Sequence, residues 1–345
     1  MIHFWRVGDI FLRKEGLMKS AVCMWRQLRG MVRMFVCVAG LLLFASPFLF
    51  AGTLKILSFN MNGRTNDDMV ERLSSLIDTS GADIVFLQEV TKGKADKSWS
   101  VLDRVVWKLG TSSWAYCTTF AYSLPRTVER GNPAETYVFC AKNQNNAVLY
   151  KKLAVRVKDR ASEFGFNSFS GRFLFDKNTV QVLEVVPCEN TKPQEFSFVA
   201  INVHLPYTDK AHRARDLATL EALYASCKLR QPVLVAGDFN TRRRDLTKRN
   251  FDHVDGDDRW FSDPAVGLKT TLSTSGTEEV VFANDYDHFV FSKTLPVSVS
   301  MRRVSVQDGK DRTRSVSFGN ATYTSSSAFR KDVSDHIPIE LLLEW

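Results

Sequence analysis

The chain has 345 residues, of which 44% are hydrophobic and 24% are charged. This composition excludes an intrinsically disordered polymer, and the length supports a full hydrophobic core in one large or two small domains. Of the formal charge of +8, residues 1–51 contribute +5 through seven basic and two acidic residues, which leaves about +3 for the rest. Such mild basicity is compatible with a polyanionic partner.

The N-terminal segment has the pattern of an export signal. Basic residues up to Arg33 precede an apolar run over residues 34–51. We expect a signal peptide over residues 1–51, and a start at Met18 would give a more usual signal length. An uncleaved N-terminal anchor is the alternative, because the run lies at the short edge of membrane-spanning length. In both cases we expect residues 52–345 to work outside the cytoplasm, in a periplasm or as a secreted monomer.

Four cysteines remain beyond the predicted leader, and an even number in an exported protein permits one or two disulfides. No CxxC spacing indicates a zinc site. The residues are Cys117, Cys140, Cys188 and Cys227.

The apolar spacing then alternates between strand and helix patterns. It predicts strands at residues 54–60, 82–90, 136–141, 146–150, 180–186, 196–204, 233–236, 287–292 and 337–344, helices at 67–77, 99–109 and 209–229, and loops at 110–135, 270–277 and 322–327. No repeat or linker divides this region. Many strands with a few helices predict two packed sheets flanked by helices in one α/β domain.

The stretch 233–240, "VLVAGDFN", is the centre of this pattern. Its apolar run predicts a short buried strand, and Asp238 and Asn240 follow where the strand meets its loop. Side chains two positions apart on an extended chain point to the same face. A carboxylate and an amide there suit the binding of a water nucleophile or an anionic oxygen beside a metal. A strand followed by an Asx turn is the structural alternative.

Polar side chains also mark other predicted strand ends. Each one singly has a structural explanation as a strand cap or a satisfied histidine, but the whole set is hard to explain in that way. Its members are Asn60, Glu89, His204, Asp238, Asn240, Asp287, Asp335 and His336.

These residue types support metal-assisted attack of water on a phosphodiester. Mg²⁺ prefers oxygen ligands and keeps several waters, so one or two carboxylates suffice to hold it. Glu89 is the first candidate ligand and Asp335 the second, with Mn²⁺ or Ca²⁺ as alternative ions.

The remaining members of the set suit acid–base work and phosphate binding. We expect His336 to take the proton of the water, with Asp287 fixing its tautomer. Asp238 would orient the nucleophile, and His204 would donate to the leaving or bridging oxygen. Two amides, Asn60 and Asn240, would hold phosphate oxygens.

The order of motifs "FNMNG", "LQEV", "ETYVF", "NVHLP", "GDFN", "YDHFVFS" and "SDHIPIE" resembles the endonuclease/exonuclease/phosphatase superfamily. The resemblance runs from about Leu54 to Glu344. It implies a four-layer α/β sandwich, in which two mixed sheets are covered by helices, and a Mg²⁺-dependent phosphoesterase site at one end. The eight strand-end residues occupy the site positions of that family.

Within the superfamily the chain is most similar to the deoxyribonuclease I branch. The histidine of "NVHLP", His204, is shared with that branch, with sphingomyelinases and with inositol-phosphate phosphatases. The similarity of "ETYVF" implies that Glu135 supports the catalytic histidine. The similarity of "FSGRF" implies that Arg172 contacts a phosphate. The chain departs from the branch at Thr91, where an arginine is expected, and at Pro133, where a tyrosine is expected. Asn62 replaces the metal-binding aspartate of abasic-site enzymes.

A basic stretch directly after "GDFN" bears on the substrate. Residues 241–249 contain five basic residues in nine, beginning with Arg242 and Arg243. Beside the site they would neutralise phosphates that flank the scissile one, and they would position a backbone without reading bases. A solvated loop with a local pair to Asp245 is the alternative.

The preferred hypothesis is an exported endonuclease that hydrolyses nucleic acid, with DNA as the expected substrate. A sphingomyelinase-like enzyme or a phosphoinositide phosphatase is the rival, and it would need an exposed apolar loop for membrane docking. Trp260-Phe261 and the aromatic residues of 114–122 are candidates for that loop, although packing also explains them. A toxin-like or adhesion subunit with a relic site is a third hypothesis, and the intact set of polar residues argues against it.

Overall fold

The computed structural model describes residues 52–90, 100–119, 125–127, 136–138, 145–160, 163, 175, 180–188, 196–256, 268–274, 279–304 and 312–345. The chain divides into two compact units, Met1–Gly52 and Thr53–Trp345. The predicted signal peptide or anchor over residues 1–51 lies outside the described residues. Within the described part, no helix is both long enough and apolar enough to cross a bilayer.

The second unit contains eighteen described strands and five described helices. The strands are β1 (Thr53–Asn60), β2 (Ile84–Val90), β3 (Trp114–Thr118), β4 (Pro125–Thr127), β5 (Thr136–Val138), β6 (Asn145–Lys151), β7 (Val155–Asp159), β8 (Gln181–Pro187), β9 (Phe198–His204), β10 (Val233–Asp238), β11 (His253–Val254), β12 (Val280–Val281), β13 (Asp287–Phe291), β14 (Val297–Arg303), β15 (Arg312–Thr313), β16 (Val316–Phe318), β17 (Ala321–Tyr323) and β18 (Ile339–Glu344). The helices are α1 (Asp67–Ser80), α2 (Val101–Leu109), α3 (Lys210–Lys228), α4 (Arg243–Leu246) and α5 (Ser326–Asp332).

Two six-stranded mixed sheets form the body of this unit. The first sheet has the order β14-β18-β1-β2-β6-β3, and the second has the order β11-β13-β10-β9-β8-β7. The β1–β2 pair and the β9–β10 pair are parallel, and the other pairs within the two sheets are antiparallel. Each sheet therefore has one parallel pair near its centre, and the carboxyl ends of those strands are available for a site.

Apolar side chains cover both faces of each sheet. On β1, Leu54 and Ile56 pack in the cluster between the sheets, whereas Leu57 and Phe59 pack in an outer cluster with α1 and α2. The second sheet packs its outer face against α3. This arrangement follows from the alternation of side chains along a strand. The expected fold, two mixed sheets flanked by helices, is confirmed.

Local capping explains where the helices begin. The side chain of Asn66 accepts a hydrogen bond from the backbone of Met69 at the start of α1, and Ser100 forms a capping box with Asp103 at the start of α2. Caps of this kind satisfy backbone N–H groups that have no partner inside the helix. The three long helices lie within three residues of the predicted bounds at each end.

The prediction of loops was wrong in two places. Residues 110–135 contain β3 and β4, and residues 322–327 contain the end of β17 and the start of α5. Strand β3 lies at an edge of its sheet, and four of its five residues are only half-buried. Edge positions of this kind do not need the alternating apolar pattern by which strands are predicted.

The described cysteines are free. Cys117 and Cys188 are half-buried and Cys227 is buried. Cys140 lies outside the described residues. No disulfide joins the three described cysteines.

Candidate active site

The two sheets meet at a hydrogen bond between strand ends. Asn60 ends β1 in the first sheet, and Asp238 ends β10 in the second. The Asn60 amide donates to Asp238 Oδ2 over 3.0 Å and to Glu89 Oε1 over 3.1 Å. Both amide hydrogens are thus engaged by carboxylates of this chain. The Asn60 amide thus links the two carboxylates, and its predicted contact with a phosphate oxygen stays a prediction.

A histidine and two aspartates form the buried part of the site. His336 Nδ1 lies 2.8 Å from Asp287 Oδ2, and its Nε2 lies 3.6 Å from Asp238 Oδ2. Asp238 and Asp287 are direct partners in the β10–β13 ladder, so the two carboxylates approach the ring from one sheet. The predicted pairing of His336 with Asp287 is present in the geometry.

The hydroxyl of Ser334, which is not among the predicted site residues, fixes the backbone of His336. Ser334 Oγ donates to the carbonyl of Asn60 over 2.7 Å and accepts from the backbone N–H of His336 over 3.1 Å. It thereby ties the segment before β18 to the end of β1. Ser334 is the first residue of the "SDH" motif, so that motif contained a signal by which it could have been predicted.

His204 closes the site from the end of β9. Its Nε2 lies 3.5 Å from Glu89 Oε1 and 3.8 Å from Asp238 Oδ2. Burial lowers the pKa of this imidazole, although the charges of nearby aspartates oppose the shift. His204 is therefore neutral near pH 7, and its ring faces the same two carboxylates that Asn60 bridges.

Positive φ angles mark the two strand ends that carry the site. Glu89 has φ +53° and lies within a register shift of the β2–β6 pairing, between Leu87 and Val90. Asn240 has φ +48°, its backbone N–H donates to Asp238 Oδ1 over 2.8 Å, and its side-chain amide donates to the carbonyl of Leu205 over 2.8 Å. Non-glycine residues adopt this conformation rarely, and such residues cluster at functional sites.

The electrostatics of the His336 ring decide its protonation state. Burial by itself would lower its pKa, but the charges of Asp287 and Asp238 outweigh burial and raise the pKa to about 10. These two carboxylates therefore favour the protonated form of the ring. These contacts place the ring nitrogens of His336 at Asp287 and Asp238, and the prediction that His336 takes the proton of the water stays a prediction.

Burial is the largest influence on the pKa values of two carboxylates of the site, those of Asp238 and Glu89. It raises the pKa of Asp238, against the opposing charge of His336. It also raises the pKa of Glu89, and the hydrogen bond from Asn60 partly offsets that shift. Both carboxylates consequently bind protons more readily than they would in water.

The donor set at the rim fits a hard cation. The Glu89 carboxylate is 24% exposed and that of Asp335 is 34% exposed, and the charge of Asp335 contributes to the raised pKa of Glu89. Two half-exposed carboxylates that repel each other match the oxygen ligands of Mg²⁺. Asn62 Nδ2 also donates to Asp335 Oδ1 over 3.1 Å.

A second group of possible ligands lies deeper. Ligand atoms of Asp238, Asp287 and His336 lie within 4.8 Å of one another. The same three residues also contact one another, since His336 Nδ1 lies 2.8 Å from Asp287 Oδ2 and its Nε2 lies 3.6 Å from Asp238 Oδ2.

The predicted phosphate-binding arginines differ in their surroundings. Arg242 is exposed and precedes α4. Arg243 is 1% exposed, and its guanidinium donates to the carbonyl of Val254 and lies 3.8 Å from Asp255. The prediction for Arg243 was wrong, because its cation is part of the core. Glu135 and Arg172 lie outside the described residues, as do Trp260 and Phe261.

Other basic residues of the stretch pair with carboxylates. Lys248 lies 3.2 Å from Asp245, and Arg249 lies 3.1 Å from Glu221. The structural alternative for this stretch therefore accounts for part of its charge.

Comparisons with known proteins identify the family of this chain. The model of the Endonuclease/Exonuclease/phosphatase family matches residues 57–336. Among solved structures, humanized D. rerio TDP2 with 14 mutations is similar at a TM-score of 0.50 and 14% identity, over 84% of this chain and 98% of that one. This likeness shows the fold.

Other similar structures have lower scores. D. rerio TDP2 complexed with a single-strand DNA product has a TM-score of 0.49 and 15% identity, over 84% of this chain and 98% of that one. A functionally unknown conserved protein from Enterococcus faecalis V583 has a TM-score of 0.48 and 17% identity, over the same shares. No curated protein matches the sequence. From its fold, its site and the family match, the chain belongs to the endonuclease/exonuclease/phosphatase family.

Proposed function

We propose that the protein is an exported, Mg²⁺-dependent phosphodiesterase, a deoxyribonuclease I-like endonuclease that hydrolyses nucleic acid. The family to which the chain belongs acts on phosphoesters. The observation that carries the proposal is the Asp238 carboxylate, which accepts a hydrogen bond from Asn60 and lies within 4 Å of two imidazoles. A carboxylate with these partners suits activation of a water for attack on phosphorus.

Asp238 is the group that we expect to take the proton of the water. Its raised pKa makes it a stronger base than an ordinary aspartate, and the backbone N–H of Asn240 fixes its orientation. His336, charged and held by Asp287, supplies a cation where negative charge develops on the phosphoryl oxygens. Preorganised donors of this kind are the largest single contribution to many enzymatic rates.

His204 is assigned to the leaving oxygen. A neutral imidazole at the end of β9 can carry a proton on Nε2 and donate it as a hydrogen bond. The ring of His204 lies next to Asp238 and Glu89. The hydrogen-bond donor, His204, and the expected base, Asp238, can therefore act on the same phosphate.

A divalent cation would be held by Glu89 and Asp335. When bound, it would neutralise charge on the phosphate and lower the pKa of a coordinated water. The two carboxylates are the exposed part of an otherwise buried site, so this ion would bind where solvent and substrate enter. Mn²⁺ or Ca²⁺ would fit the same oxygen donors.

Nucleic acid is the substrate that we favour over lipid. The exposed Arg242 follows Asn240 by two positions, and the charge of residues 52–345 is about +3. Among the described residues, the large exposed apolar side chains lie on four separate parts of the fold, not on one docking loop: Trp107, Leu153, Tyr207 and Leu229. Export is supported by the composition of residues 1–51.

Hydrolysis by the purified full chain from a nuclease-deficient host tests the proposal. Supercoiled plasmid, single-stranded DNA, RNA, sphingomyelin and a phosphoinositide would be compared with Mg²⁺ and with EDTA. We expect metal-dependent nicking of plasmid, and a loss of about 100-fold or more in Asp238→Asn. The His204→Ala variant should also lose most of its activity.

The exposed carboxylate of Asp78 on α1 offers a matched control. Asp78→Asn changes the same chemical group at an exposed position of α1 outside the set of site residues, and it should keep full activity. Lipid turnover with intact plasmid would move the protein to the rival function. Equal nicking by wild type and Asp238→Asn would show a contaminating nuclease and overturn the proposal.

A further inference from the structure

A charged cluster lies in the core next to the loops that carry the site. It consists of two cations, Arg243 and His288, and two carboxylates, Asp255 and Asp285. The first three are at most 1% exposed, and Asp285 is 8% exposed. We call it the buried quartet. Its formal charges cancel when His288 is protonated, as buried charges require.

The contacts of His288 determine how many protons its ring carries. Nδ1 lies 2.7 Å from Asp255 Oδ2, and Nε2 lies 2.9 Å from the carbonyl of Thr241 and 2.8 Å from the carbonyl of Asp285. Carbonyl and carboxylate oxygens only accept hydrogen bonds, so each nitrogen must donate. His288 is therefore an imidazolium, and its pKa, which the charge of Asp255 raises to about 9 against the effect of burial, agrees.

This ring joins the two loops on which the proposed mechanism depends. Thr241 directly follows Asn240, and Asp285 lies two positions before Asp287. One imidazolium thus holds a carbonyl of each loop. A second link runs parallel to it, because the backbone N–H of Arg243 donates to Asp285 Oδ2 over 2.9 Å.

Asp255 anchors the ring from the opposite side. Its Oδ1 accepts from the backbone N–H of Phe289 over 2.9 Å, and its own backbone has φ +61°. His288 also pairs with Gly237 in the β10–β13 ladder, one position from the Asp238–Asp287 pair. The ring is therefore fixed at its backbone and at both nitrogens, next to the reacting carboxylate.

We propose that His288 is a positioning residue, which as a cation clamps the loop after β10 to the loop before β13 and so sets the spacing of Asp238, Asn240 and Asp287. It does not touch substrate, because its ring is enclosed by Asp255 and the two loop carbonyls. The effect on turnover rests on the proposed function, whereas the charge and the contacts of the ring do not.

The charge is tested by nitrogen-15 NMR of histidine-labelled full chain at pH 7.5. The chain has six histidines, and the ring of His288 is identified by its contact with Phe239, whose ring centroid lies 5.8 Å away. We expect protons on both ring nitrogens, each exchanging slowly with water. A ring with one proton would overturn the inference, whether or not the protein hydrolyses anything.

The positioning role is tested by kinetics of His288→Asn, with Val290→Ala as the matched control. Val290 is equally buried on the same strand and packs in the apolar cluster on the α3 side. Per folded molecule, we expect His288→Asn to lose about 100-fold in kcat with KM changed less than twofold, because a misplacement near 1 Å has that effect. Val290→Ala should lose stability and keep its kcat.

The outcomes separate the inference from the proposed function. Equal kcat for both variants and wild type would show that the quartet only stabilises the fold, which would overturn the inference while the function stands. Wild type without any phosphodiester hydrolysis would overturn the proposed function, and the NMR result would then decide the inference. If His288→Asn does not fold, the Asp255→Asn variant gives the same comparison from the other end of the contact.

Discussion

Three buried histidines of this protein differ in charge, although their side chains are chemically the same. His204 is neutral because burial lowers its pKa and no nearby carboxylate compensates fully. His336 and His288 are also buried, but each has a carboxylate oxygen within 2.8 Å of Nδ1, and their pKa values rise to about 10 and about 9. The environment, and not the residue type, therefore assigns one donor and two cations.

The pair His336–Asp287 yields a prediction for the pH dependence of the rate. In wild type, kcat/KM should rise as Asp238 loses its proton, at a pH above its ordinary value of 3.8, and fall as His336 loses its proton near pH 10. Asp287→Asn removes the carboxylate that contributes most to raising the pKa of His336. The alkaline limb should therefore move to lower pH, which pH–rate profiles of both proteins would measure.

An NMR titration of the His336 ring gives the same shift without catalysis. The pKa of the ring should be lower in Asp287→Asn than in wild type. An alkaline limb that stays near pH 10 in the variant would show that another group, and not His336, limits the rate there.

At the scale of elements, the site depends on strands that end irregularly. Gly237 in β10 has φ +143°, and a Cβ there would lie 2.0 Å from the carbonyl oxygen of Val203 in β9. The parallel strands approach this closely just before Asp238 and His204. Because Gly237 has no side chain, β9 and β10 can lie this close directly before the polar residues at their ends.

We predict that Gly237→Ala destabilises the protein by about 3 kcal/mol or more, since backbone on one side or the other must move. Gly81 is the matched control, because it also has positive φ, +69°, but nothing lies within 4 Å of an added Cβ. Gly81→Ala should lose only about 1 kcal/mol. Urea denaturation of the two variants measures the difference. Equal losses would show that φ alone, and not the approach of β9, explains the glycine.

At the scale of the whole molecule, buried amides tie the two sheets together below the site. Asn202 of β9 donates from Nδ2 to the carbonyls of Leu87 and Ala147 in the first sheet, over 3.1 Å and 3.0 Å. Gln88 donates back to Asn202 Oδ1 over 2.8 Å. All four residues are fully buried. This bridge fixes how the end of β2, with Glu89, faces the end of β9, with His204.

Removing the bridge should lower the stability of the protein. We predict that Asn202→Leu destabilises by about 2–4 kcal/mol, because it leaves two buried carbonyls without their donor. The double variant Gln88→Leu/Asn202→Leu should be more stable than the sum of the two single losses predicts, since each single change orphans the other amide. Thermal unfolding of wild type, the two single variants and the double variant measures this difference. Additive losses would contradict a direct coupling between the two amides.

The amino-acid sequence by itself already determined much of the fold and of the site of this protein. The apolar runs of β1, β2, β9 and β10 predicted the central strands to within two residues, because strands buried on both faces are apolar at nearly every position. The strand-end positions of Asn60, Glu89, His204, Asp238 and His336 were also readable, because polar groups are not needed in such a core. The family followed from the order of these motifs.

Only the tertiary structure decided what these groups do to one another. The charge of His336 depends on Asp287 and Asp238, and the use of the Asn60 amide depends on Asp238, a residue 178 positions away. Arg243 lies in a basic stretch that is typical of an exposed loop, yet its guanidinium is buried beside Asp255. Protonation states and hydrogen-bond partners follow from distances across the two sheets. A linear pattern contains residue types and spacing but not those distances.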